Sequence, residues 1–378
     1  MADTATELDS AHLRRALELA ENGRGRVSPN PLVGAVLARD GDVIGEGHHA
    51  DLGGLHAERA ALANAAERGE DPVGATLYVT LEPCAHHGRQ PPCADAILEA
   101  GIARVVYASE DPTEKASGRG PGVLRDGGVE VELTQGPEAA SARLLNQAFR
   151  KRARTGRPLV TYKAAMTLDG RVAAPGGDSR WISAGESREL VHRWRAECDA
   201  VAVGIGTALA DDPLLTARAG GEAEGPQPVR VVFDSQARLP RDSALVGSID
   251  EARLIVICAP EAPSAAREAL EAAGAEVIVA GGSDPAARLG AALVELGNRE
   301  IQDLLLEGGP TLAGALFDAG EIDSLRLFVA PLILGAGEAR ALLEGQGARR
   351  IADGLRPLVV EHRQVGEDLL IDARLREW

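Results

Sequence analysis

The chain has 378 residues, of which 45% are hydrophobic and 26% charged, a composition typical of a folded protein rather than a disordered one. Acidic residues outnumber basic ones, 57 against 40, and the formal charge of -17 disfavours binding to nucleic acid or to anionic membranes. A chain of this length exceeds what one hydrophobic core usually supports, so we expect two domains.

The sequence shows no sign of a targeting or membrane segment. Residues 1–10 contain three acidic side chains and no apolar run, unlike a signal peptide, and no later stretch is apolar and long enough to span a bilayer. The four cysteines, Cys84, Cys93, Cys198 and Cys258, are too few and too scattered for a secreted disulfide scaffold. We therefore expect a cytoplasmic protein with reduced thiols, in which Cys198 and Cys258 are buried in or beside apolar strands.

Hydrophobic periodicity predicts that helices and strands alternate in the first half. Leu13, Leu17 and Ala20 fall on one helical face, and Asp40-Gly41 is typical of a hairpin turn. The predicted elements are a helix at 11–20, strands at 33–38 and 42–45, a helix at 56–67, a strand at 75–80, a helix at 93–100 and a strand at 103–108. This order indicates an α/β layered sheet.

A basic segment at 146–158 separates the two halves. It breaks at Gly156 and Pro158, as a helix end followed by a connection between domains does. We therefore predict domains at residues 1–150 and 158–378. The second half is predicted to contain strands at 159–164, 200–203, 229–233, 254–258, 276–279, 303–306, 324–329 and 369–375, with helices between them. Because the last two strands follow the last clear helix, we expect this sheet to end antiparallel.

The most informative residues are His56, Cys84 and Cys93, whose imidazole and two thiolates are good zinc ligands. Three protein ligands leave the fourth tetrahedral position for water, as a catalytic zinc site requires, and zinc lowers the pKa of that water towards neutrality. Glu58 lies on the opening turn of a predicted helix, where it can move the proton of that water to a departing amine. His-x-Glu followed by Pro-Cys and a later Cys is typical of zinc-dependent deaminases of bases and nucleosides.

Other interpretations of these residues stay open at this point. Glu58 is also a first-turn acid of the kind that a helix dipole favours. Cys84 and Cys93 are also compatible with a disulfide or with two buried thiols. A purely structural zinc site with His86 or His87 as the fourth ligand is a further interpretation.

The spacing of the two cysteines departs from the general deaminase pattern and indicates a particular family. Eight residues separate Cys84 from Cys93, where the general pattern has two. The segment between them resembles the PCxHxGRTPPC motif of the riboflavin-pathway deaminases, with Gln90 where Thr is usual. PNPLVGAV at 29–36, GEGHH at 45–49 and YVTLEPC at 78–84 match the same family in the same order.

The resemblance implies a cytidine-deaminase-like three-layer domain with one Zn²⁺ in its site. It also implies that His56, Cys84 and Cys93 bind zinc and that Glu58 moves protons. The implied substrate contacts are Asn30, His49, His86, Arg89 and Asp111. Residues 111–120 resemble the family segment DPNPxVxGxG, but Thr113 and Glu114 replace its usual Asn and Pro, so the contact of that Asn is not carried over.

The second half resembles the riboflavin-pathway reductases, which share the dihydrofolate-reductase-like α/β fold. Residues 163–171 match their KxAxSLDG segment, with further matches at 178–183, 193–196 and 204–218. The segment LEGGPT at 306–311 follows a predicted strand and leads into a helix predicted at 312–319. Backbone amides at such a helix start can bind phosphate.

The resemblance implies that this half is an NADPH-dependent reductase. The implied cofactor contacts are Ala165, Trp181, Thr207, Asp211, Ser235, Gly309, Pro310, Thr311, Leu312, Ala313, Gly314 and Ala315. The implied substrate contacts are Lys163, Ser179, Arg195, Leu215, Arg218 and Glu307. Arg195 and Arg218 supply the local positive charge that a phosphorylated substrate needs in an acidic protein. The basic group that selects NADPH over NADH is not evident from the sequence.

Together the two resemblances imply a bifunctional enzyme of riboflavin biosynthesis. Its deaminase converts 2,5-diamino-6-(5-phosphoribosylamino)pyrimidin-4-one to 5-amino-6-(5-phosphoribosylamino)uracil, using zinc hydroxide as the nucleophile. Its reductase uses NADPH to give 5-amino-6-(5-phosphoribitylamino)uracil. The implied partners are phosphorylated pyrimidines and further copies of the chain in a dimer or higher homo-oligomer, without nucleic acid or membrane.

Two alternatives, one enzymatic and one not, stay open on the sequence. One is a zinc deaminase of another nucleoside or nucleotide, whose second half only binds ligand. The other is a non-enzymatic interaction protein that binds zinc and nucleotide. Ammonia release followed by NADPH oxidation separates both of them from the bifunctional enzyme.

Overall fold

The computed structural model describes residues 2–88, 90–219, 222–223 and 225–378. The chain divides into two compact units: Met1–Thr155 together with Trp378, here called the N-terminal unit, and Gly156–Glu377, here called the C-terminal unit. Among the described residues, none of the helices combines the length and the apolar character that crossing a bilayer requires.

The N-terminal unit is built on a five-stranded sheet in the order β2-β1-β3-β4-β5. Strand β1 runs antiparallel to both neighbours, and β3, β4 and β5 are parallel. The elements, in chain order, are α1 (Ala2–Glu21), β1 (Gly34–Arg39), β2 (Asp42–His48), α2 (Ala57–Glu67), β3 (Thr76–Val79), α3 (Cys93–Glu99), β4 (Arg104–Tyr107), α4 (Arg119–Asp126), β5 (Glu130–Leu133), α5 (Pro137–Leu145) and α6 (Gln147–Thr155).

Alternating side chains of β1 bury against helices on both faces of this sheet. Ala35 and Leu37 belong to a core that includes Ala61 of α2, together with residues of α3 and α4. Val36 belongs to a second core that includes Leu13 of α1, together with Ala142 of α5. Successive strand residues point to opposite faces, so one apolar strand serves two helix layers. The predicted three-layer architecture is therefore confirmed.

Most differences from the predicted elements of this unit lie at element ends and in the stretch after β4. The predicted hairpin turn is present, with Asp40 and Gly41 at φ angles of 51° and 90°. The helix α6 continues to Thr155 and ends before Gly156, whose φ is 71°. The elements α4, β5 and α5 were not predicted, because α4 opens with glycine and proline and β5 is a partly exposed edge strand.

The C-terminal unit is built on a nine-stranded sheet in the order β13-β12-β11-β8-β14-β6-β15-β18-β17. Its elements are β6 (Leu159–Thr167), β7 (Arg171–Ala173), α7 (Gly185–Glu197), β8 (Ala200–Gly204), α8 (Ile205–Asp211), β9 (Arg218–Ala219), β10 (Glu222–Ala223), β11 (Val229–Phe233), α9 (Ala244–Gly247), β12 (Leu254–Cys258), α10 (Ser264–Ala272), β13 (Glu276–Val279), α11 (Pro285–Asn298), β14 (Asp303–Glu307), α12 (Pro310–Asp318), β15 (Ser324–Ala330), β16 (Arg340–Ala341), a 3₁₀ helix (Ile351–Asp353), β17 (Val359–Val365) and β18 (Asp368–Arg374).

The strands from β13 to β15 are parallel, and β18 and β17 continue the sheet antiparallel, as predicted. Helices cover both faces of the parallel part. Val201 of β8 packs in a core with residues of α7 and α10, and Ala202 packs in another with residues of α11 and α12. The carboxyl ends of β8, β11, β12 and β14 therefore share one edge, where ligands of parallel α/β sheets bind. Strand β17 was not predicted, because its exposed, mixed sequence shows no apolar alternation.

Candidate active sites

Close packing between α2 and the hairpin determines where the first candidate site forms. A Cβ atom on Gly47 of β2 would overlap the backbone amide of Ala61 in α2, and one on Gly45 would lie 2.5 Å from the Ala61 carbonyl oxygen. Gly34 of β1 faces the backbone of Ala16 in α1 in the same way. These glycines of the family motifs therefore let two helices lie directly on the strands. The contact with β2 holds the start of α2 in place.

Three elements bring the predicted zinc ligands together. His56 is the extended residue just before α2, Cys84 lies in the loop after β3, and Cys93 is the first residue of α3. The His56 Nδ1 atom lies 3.3 Å from Cys93 Sγ and 3.6 Å from Cys84 Sγ, and the three ligand atoms all lie within 4.8 Å of one another. Around a tetrahedral zinc ion, nitrogen and sulfur ligands are separated by about 3.5 Å. The spacing and the chemistry of this donor set both fit zinc.

The two thiols differ in their affinity for a proton. The hydrogen bond from Cys93 and that from His56 lower the pKa of Cys84 to about 4. The Cys93 backbone amide also donates to Cys84 Sγ at 3.3 Å. The same contact with Cys84, together with burial, raises the pKa of Cys93. The two thiols therefore differ in acidity, and binding of a dication requires both to lose their protons.

Glu58 lies in the first turn of α2, and only 4% of its surface is exposed. Burial and the neighbouring Cys84 raise the pKa of its carboxyl group. A buried carboxyl group with a raised pKa holds a proton more readily than an exposed one, as a residue that accepts and passes on a proton requires.

Asn30 and His49 lie beside the cluster. The His49 Nδ1 atom donates to the Leu55 carbonyl oxygen at 2.9 Å, which leaves Nε2 to accept from Asn30 Nδ2 at 3.0 Å. The His49 and His56 rings meet edge to face, with centroids 5.5 Å apart. Burial lowers the pKa of His49, so the neutral imidazole is favoured. Two of the predicted substrate contacts are thus brought to the zinc cluster.

For the other predicted substrate contacts of this unit, the structure shows no hydrogen bond or ring contact to the three zinc ligands among the described residues. Asp111 Oδ1 accepts from the Thr113 amide at 2.8 Å and from the Thr113 hydroxyl at 2.6 Å. Thr113, which stands where the family usually has Asn, therefore orients Asp111. His86 is exposed in the loop before α3, and Arg89 lies outside the described residues.

A second cluster forms in the C-terminal unit around Glu307, the last residue of β14. Lys163 of β6 is its register partner, and the Lys163 Nζ atom lies 3.8 Å from the carboxylate. Arg195 of α7 donates through Nε at 2.6 Å and through Nη2 at 3.0 Å. Burial alone raises the pKa of Glu307, but Arg195 and Lys163 overcome that effect and hold it at about 2. Three of the predicted substrate contacts therefore form one buried charged group.

Residues 216 and 218, near this cluster, carry buried polar groups that make no hydrogen bond to any described residue. Arg195 Nη1 and His192 Nδ1 both donate to the Thr216 carbonyl oxygen, at 3.1 and 3.2 Å. The Thr216 hydroxyl and the Arg218 Nε atom are buried and make no hydrogen bond to any described residue. Leu215 beside them has a φ of 57°, a backbone conformation that side-chain-bearing residues rarely adopt. Buried donors that lack partners are expected where a ligand supplies them.

A cavity of about 480 Å³ opens at the carboxyl ends of the parallel strands. It is lined by Gly204, Ile205, Gly206, Thr207, Phe233, Asp234, Ser235, Arg238, Ile257, Cys258, Ala259, Ala280, Pro285, Arg288, Leu289, Ala292, Gly309, Thr311, Leu312, Ala315 and Arg340. The glycines at 308 and 309 both have φ near 75°, which side chains disfavour, and they lead into α12. Volume, location and this glycine turn all fit a dinucleotide.

The predicted cofactor contacts fall into two groups. Thr207, Ser235, Gly309, Thr311, Leu312 and Ala315 line the cavity, whereas Pro310, Ala313, Gly314, Ala165, Trp181 and Asp211 do not. Ala313 is in the core and Gly314 packs against Glu344, so both serve the placement of α12. Trp181 is 72% exposed beneath the Arg188 guanidinium, which lies 4.7 Å from its ring. Ser179, in the same loop, is half-buried.

Comparison with known proteins decides the family. Residues 158–371 match the family described as the RibD C-terminal domain, and residues 6–109 match the cytidine and deoxycytidylate deaminase zinc-binding region. The riboflavin biosynthesis protein RibD of Actinobacillus pleuropneumoniae is 38% identical over 369 residues, which cover 98% of this chain and 95% of that protein. The chain belongs to the RibD family.

Solved structures agree with this assignment over the full length. RibD of Acinetobacter baumannii, form 1, superposes with a TM-score of 0.86 at 36% identity, covering 98% of this chain and 99% of that chain. The deaminase/reductase of Thermotoga maritima superposes with a TM-score of 0.84 at 36% identity and the same coverage. As a RibD protein, this chain is a bifunctional enzyme of riboflavin biosynthesis, with a deaminase step and a reductase step. Its cofactors are Zn²⁺ and NADPH, and its two folds are those predicted.

Two further residues of this RibD chain lie beside the candidate sites and were not predicted from the sequence. Glu82 precedes the Pro-Cys pair, and burial raises its pKa to about 7. Its carboxylate accepts from the Asp111 amide at 3.4 Å, so it joins the zinc-ligand loop to the Asp111 loop. His192 lies three residues before Arg195 on α7, and burial and the charge of Arg195 lower its pKa. The i, i+3 spacing between His192 and Arg195 on a predicted helix is the signal that could have identified it.

Proposed function

We propose that residues 1–150 deaminate 2,5-diamino-6-(5-phosphoribosylamino)pyrimidin-4-one and that residues 158–378 then reduce the product, 5-amino-6-(5-phosphoribosylamino)uracil, to 5-amino-6-(5-phosphoribitylamino)uracil. The observation that carries the proposal is the buried Glu58 carboxyl group beside three zinc-ligand atoms that lie within 4.8 Å of one another. A donor set with three protein ligands is typical of catalytic rather than structural zinc.

In the deaminase, His56, Cys84 and Cys93 bind the zinc ion. When bound, the ion supplies Lewis acidity and makes water nucleophilic near neutral pH. The water oxygen forms a bond to the ring carbon that bears the amino group, and the bond from that carbon to nitrogen breaks. Glu58 takes a proton from the water and passes it to the nitrogen, which leaves as ammonia. The second proton of the water ends on the neighbouring ring nitrogen, whose double bond to that carbon becomes single. The ring carbon thus becomes a carbonyl, and atoms and charge balance.

The substrate of the deaminase lies between the hairpin and the loops that carry the ligands. Asn30 and His49 contact its pyrimidine ring, because their hydrogen-bonded pair lies beside His56. His86, Arg89 and Asp111 contact the remainder of the substrate. Thr113 supports this role of Asp111, since its hydroxyl holds one carboxylate oxygen and leaves the other for a ligand.

In the reductase, Thr207, Ser235, Gly309, Thr311, Leu312 and Ala315 of the cavity wall contact NADPH. Ala165, Trp181 and Asp211 are further contacts, whereas Pro310, Ala313 and Gly314 position α12. When bound, the cofactor supplies a hydride to the former anomeric carbon of the open-chain sugar. The C=N bond of the imine becomes a single bond, and the nitrogen gains a proton. No covalent intermediate with the protein is needed, because holding the two carbons in a near-attack arrangement is sufficient.

Lys163, Ser179, Arg195, Leu215, Arg218 and Glu307 hold the sugar phosphate. The support is the positive charge in this region: Arg195 and Lys163 outnumber the single carboxylate of Glu307, and buried Arg218 Nε has no partner among the described residues. Guanidinium groups bind phosphate at two points, which orients the sugar.

A two-step assay with metal analysis tests the proposal. The purified chain is expected to contain one zinc ion, to release ammonia from the diaminopyrimidinone and then to oxidise NADPH. Ammonia release without NADPH oxidation would remove the reductase assignment. Full deamination by a preparation free of metal would remove the zinc site.

We also propose that the chain forms a homo-oligomer in the cytoplasm. The support for self-association is the edge strand β17, where Val360 is 55% exposed at the end of the nine-stranded sheet. The support for a reducing compartment is that all four cysteines are free thiols. Light scattering of the purified chain measures the first property, and fractionation of the source cells measures the second.

A further inference from the structure

The dinucleotide cavity extends in one direction away from the substrate cluster. Lys163 and Glu307 lie on β6 and β14, which are adjacent in the sheet, and β8, β11, β12 and β13 follow in that order. Neighbouring strands are about 4.8 Å apart, so the ends of β11 to β13 lie two to four strand spacings from Glu307. A cofactor whose nicotinamide meets the sugar near Glu307 must therefore place its adenosine half over β11 to β13.

The side chains along the cavity change from small residues near β14 to apolar residues below α11, as this orientation of the cofactor requires. Gly204, Thr207 and Gly309 line the part nearest β14, where small residues let a diphosphate approach. Phe233, Ile257, Leu289 and Ala292 line the part below α11, where they form an apolar surface for a flat base. The small residues therefore suit the diphosphate of the cofactor, and the apolar residues suit its adenine.

Three arginines line the same cavity, and they differ in how far their charge is already neutralised. Arg340 donates twice to Glu344, through Nε at 3.0 Å and Nη2 at 2.5 Å, and also to Thr311 at 3.1 Å. Arg288, on the first turn of α11, makes no ion pair or hydrogen bond through its guanidinium to any described residue. Arg238 lies after β11 and is 57% exposed, and its only described ion pair is a long one, 3.9 Å to Asp234.

We infer that Arg238 and Arg288, with the Ser235 hydroxyl, bind the 2′-phosphate of NADPH and so select it over NADH. The inference rests on the proposed cofactor site and adds to it the group that the sequence left unassigned. Both cations lie at the adenosine end, where the 2′-phosphate is the one group that distinguishes the two cofactors. Arg288 lies in the stretch between residues 240 and 302, where family motifs are sparse, so no motif identifies it.

Two carboxylates lie close to these arginines in the chain. Asp234 accepts through Oδ2 from the Leu239 amide at 2.8 Å, while its buried Oδ1 makes no hydrogen bond to any described residue. Asp284 caps α11 by accepting from the Ala287 amide at 2.9 Å. Neither forms a short ion pair with Arg238 or Arg288. A dianionic phosphate is therefore the stronger partner for two weakly neutralised guanidinium groups.

Calorimetric binding of adenosine 2′,5′-bisphosphate and of 5′-ADP tests the inference without measuring activity. The wild-type chain is expected to bind the 2′,5′-bisphosphate more tightly. Arg238→Gln and Arg288→Gln are each expected to weaken its binding by about 10-fold, and the double variant by about 100-fold, with 5′-ADP binding unchanged within about 2-fold. Arg241→Gln is the matched control, because Arg241 is exposed in the same loop as Arg238 and does not line the cavity.

Three other results would overturn either the assignment of the two arginines or the proposed cofactor site. If the double variant still prefers the 2′,5′-bisphosphate as strongly as the wild type does, Arg238 and Arg288 do not bind the 2′-phosphate. If it loses both ligands equally, the two arginines bind the diphosphate instead, and the inference is also overturned. If the wild-type chain binds neither ligand, the proposed cofactor site itself is wrong.

Discussion

The carboxylate of Glu307 and the guanidinium of Arg195 meet at two points inside the C-terminal unit, at 2.6 and 3.0 Å, and 9% and 12% of the two side chains are exposed. The residues are 112 positions apart in the chain. Removing one member of such a pair leaves an uncompensated buried charge. We expect Glu307→Gln to lower the free energy of unfolding of this unit by about 3–5 kcal/mol at pH 7.

The same pair predicts a pH dependence with a definite sign. The folded-state pKa of Glu307 is lowered from its ordinary 4.5 to about 2, so its contribution to stability is complete above about pH 4.5 and is lost as the pH falls towards 2. The stability difference between the wild type and Glu307→Gln should therefore shrink over that interval. Urea unfolding of both proteins, followed by hydrogen exchange in β14, measures it. A difference that stays constant down to pH 3 would contradict the assigned pairing.

Glu58→Ala separates the proton-moving role of Glu58 from metal binding. Because the zinc ligands are the other three residues, we expect zinc content to remain at one per chain while deamination falls about 10²–10⁴-fold. Cys84→Ser is the contrasting variant and should lose the metal itself. Atomic emission and ammonia release measure the two properties. Unchanged turnover in Glu58→Ala would remove its assigned role.

Gly47→Ala tests whether the close approach of α2 to β2 sets up the zinc site. The added methyl group overlaps the Ala61 backbone, so we expect a loss of about 1–3 kcal/mol or more in unfolding free energy and weaker zinc binding. Gly122→Ala in α4 is the matched control, because nothing lies within 4 Å of its added methyl group. The control should be neutral or up to about 1 kcal/mol more stable. Equal effects of the two substitutions on stability and zinc binding would show that the close approach of α2 to β2 does not set up the zinc site.

Removal of zinc by a chelator should affect the two steps unequally. His56, Cys84 and Cys93 all belong to the N-terminal unit, whereas Lys163, Arg195 and Glu307 all belong to the C-terminal unit. We expect the metal-free protein to lose deamination but to reduce the supplied deaminated intermediate at its normal rate. NADPH oxidation with that intermediate measures the second step, and readdition of zinc provides the control. Parallel loss of both activities would show that the second site also depends on the metal.

Local pattern was sufficient for much of the fold. The apolar runs at 229–233, 254–258 and 276–279 match β11, β12 and β13 residue for residue, because strands of a parallel sheet between two helix layers consist largely of apolar residues. The turn at Asp40 and Gly41 was equally predictable from the sequence, since few residue types adopt the positive φ angles that it requires. Periodicity failed for α4 and β17, where glycine, proline or an exposed edge removes the apolar signal.

The chemistry of the deaminase site was predictable from the sequence, because its histidine, cysteines and acid follow one another in a recognisable order and spacing. Contacts between distant groups became known only from the folded chain: Arg195 pairs with Glu307, Glu82 accepts from Asp111, and Arg238 and Arg288 line one cavity. The physical reason is that motif residues are related through short loops, whereas these pairs depend on the order in which strands assemble. That order is set by burial of whole strands and helices, which no local spacing records.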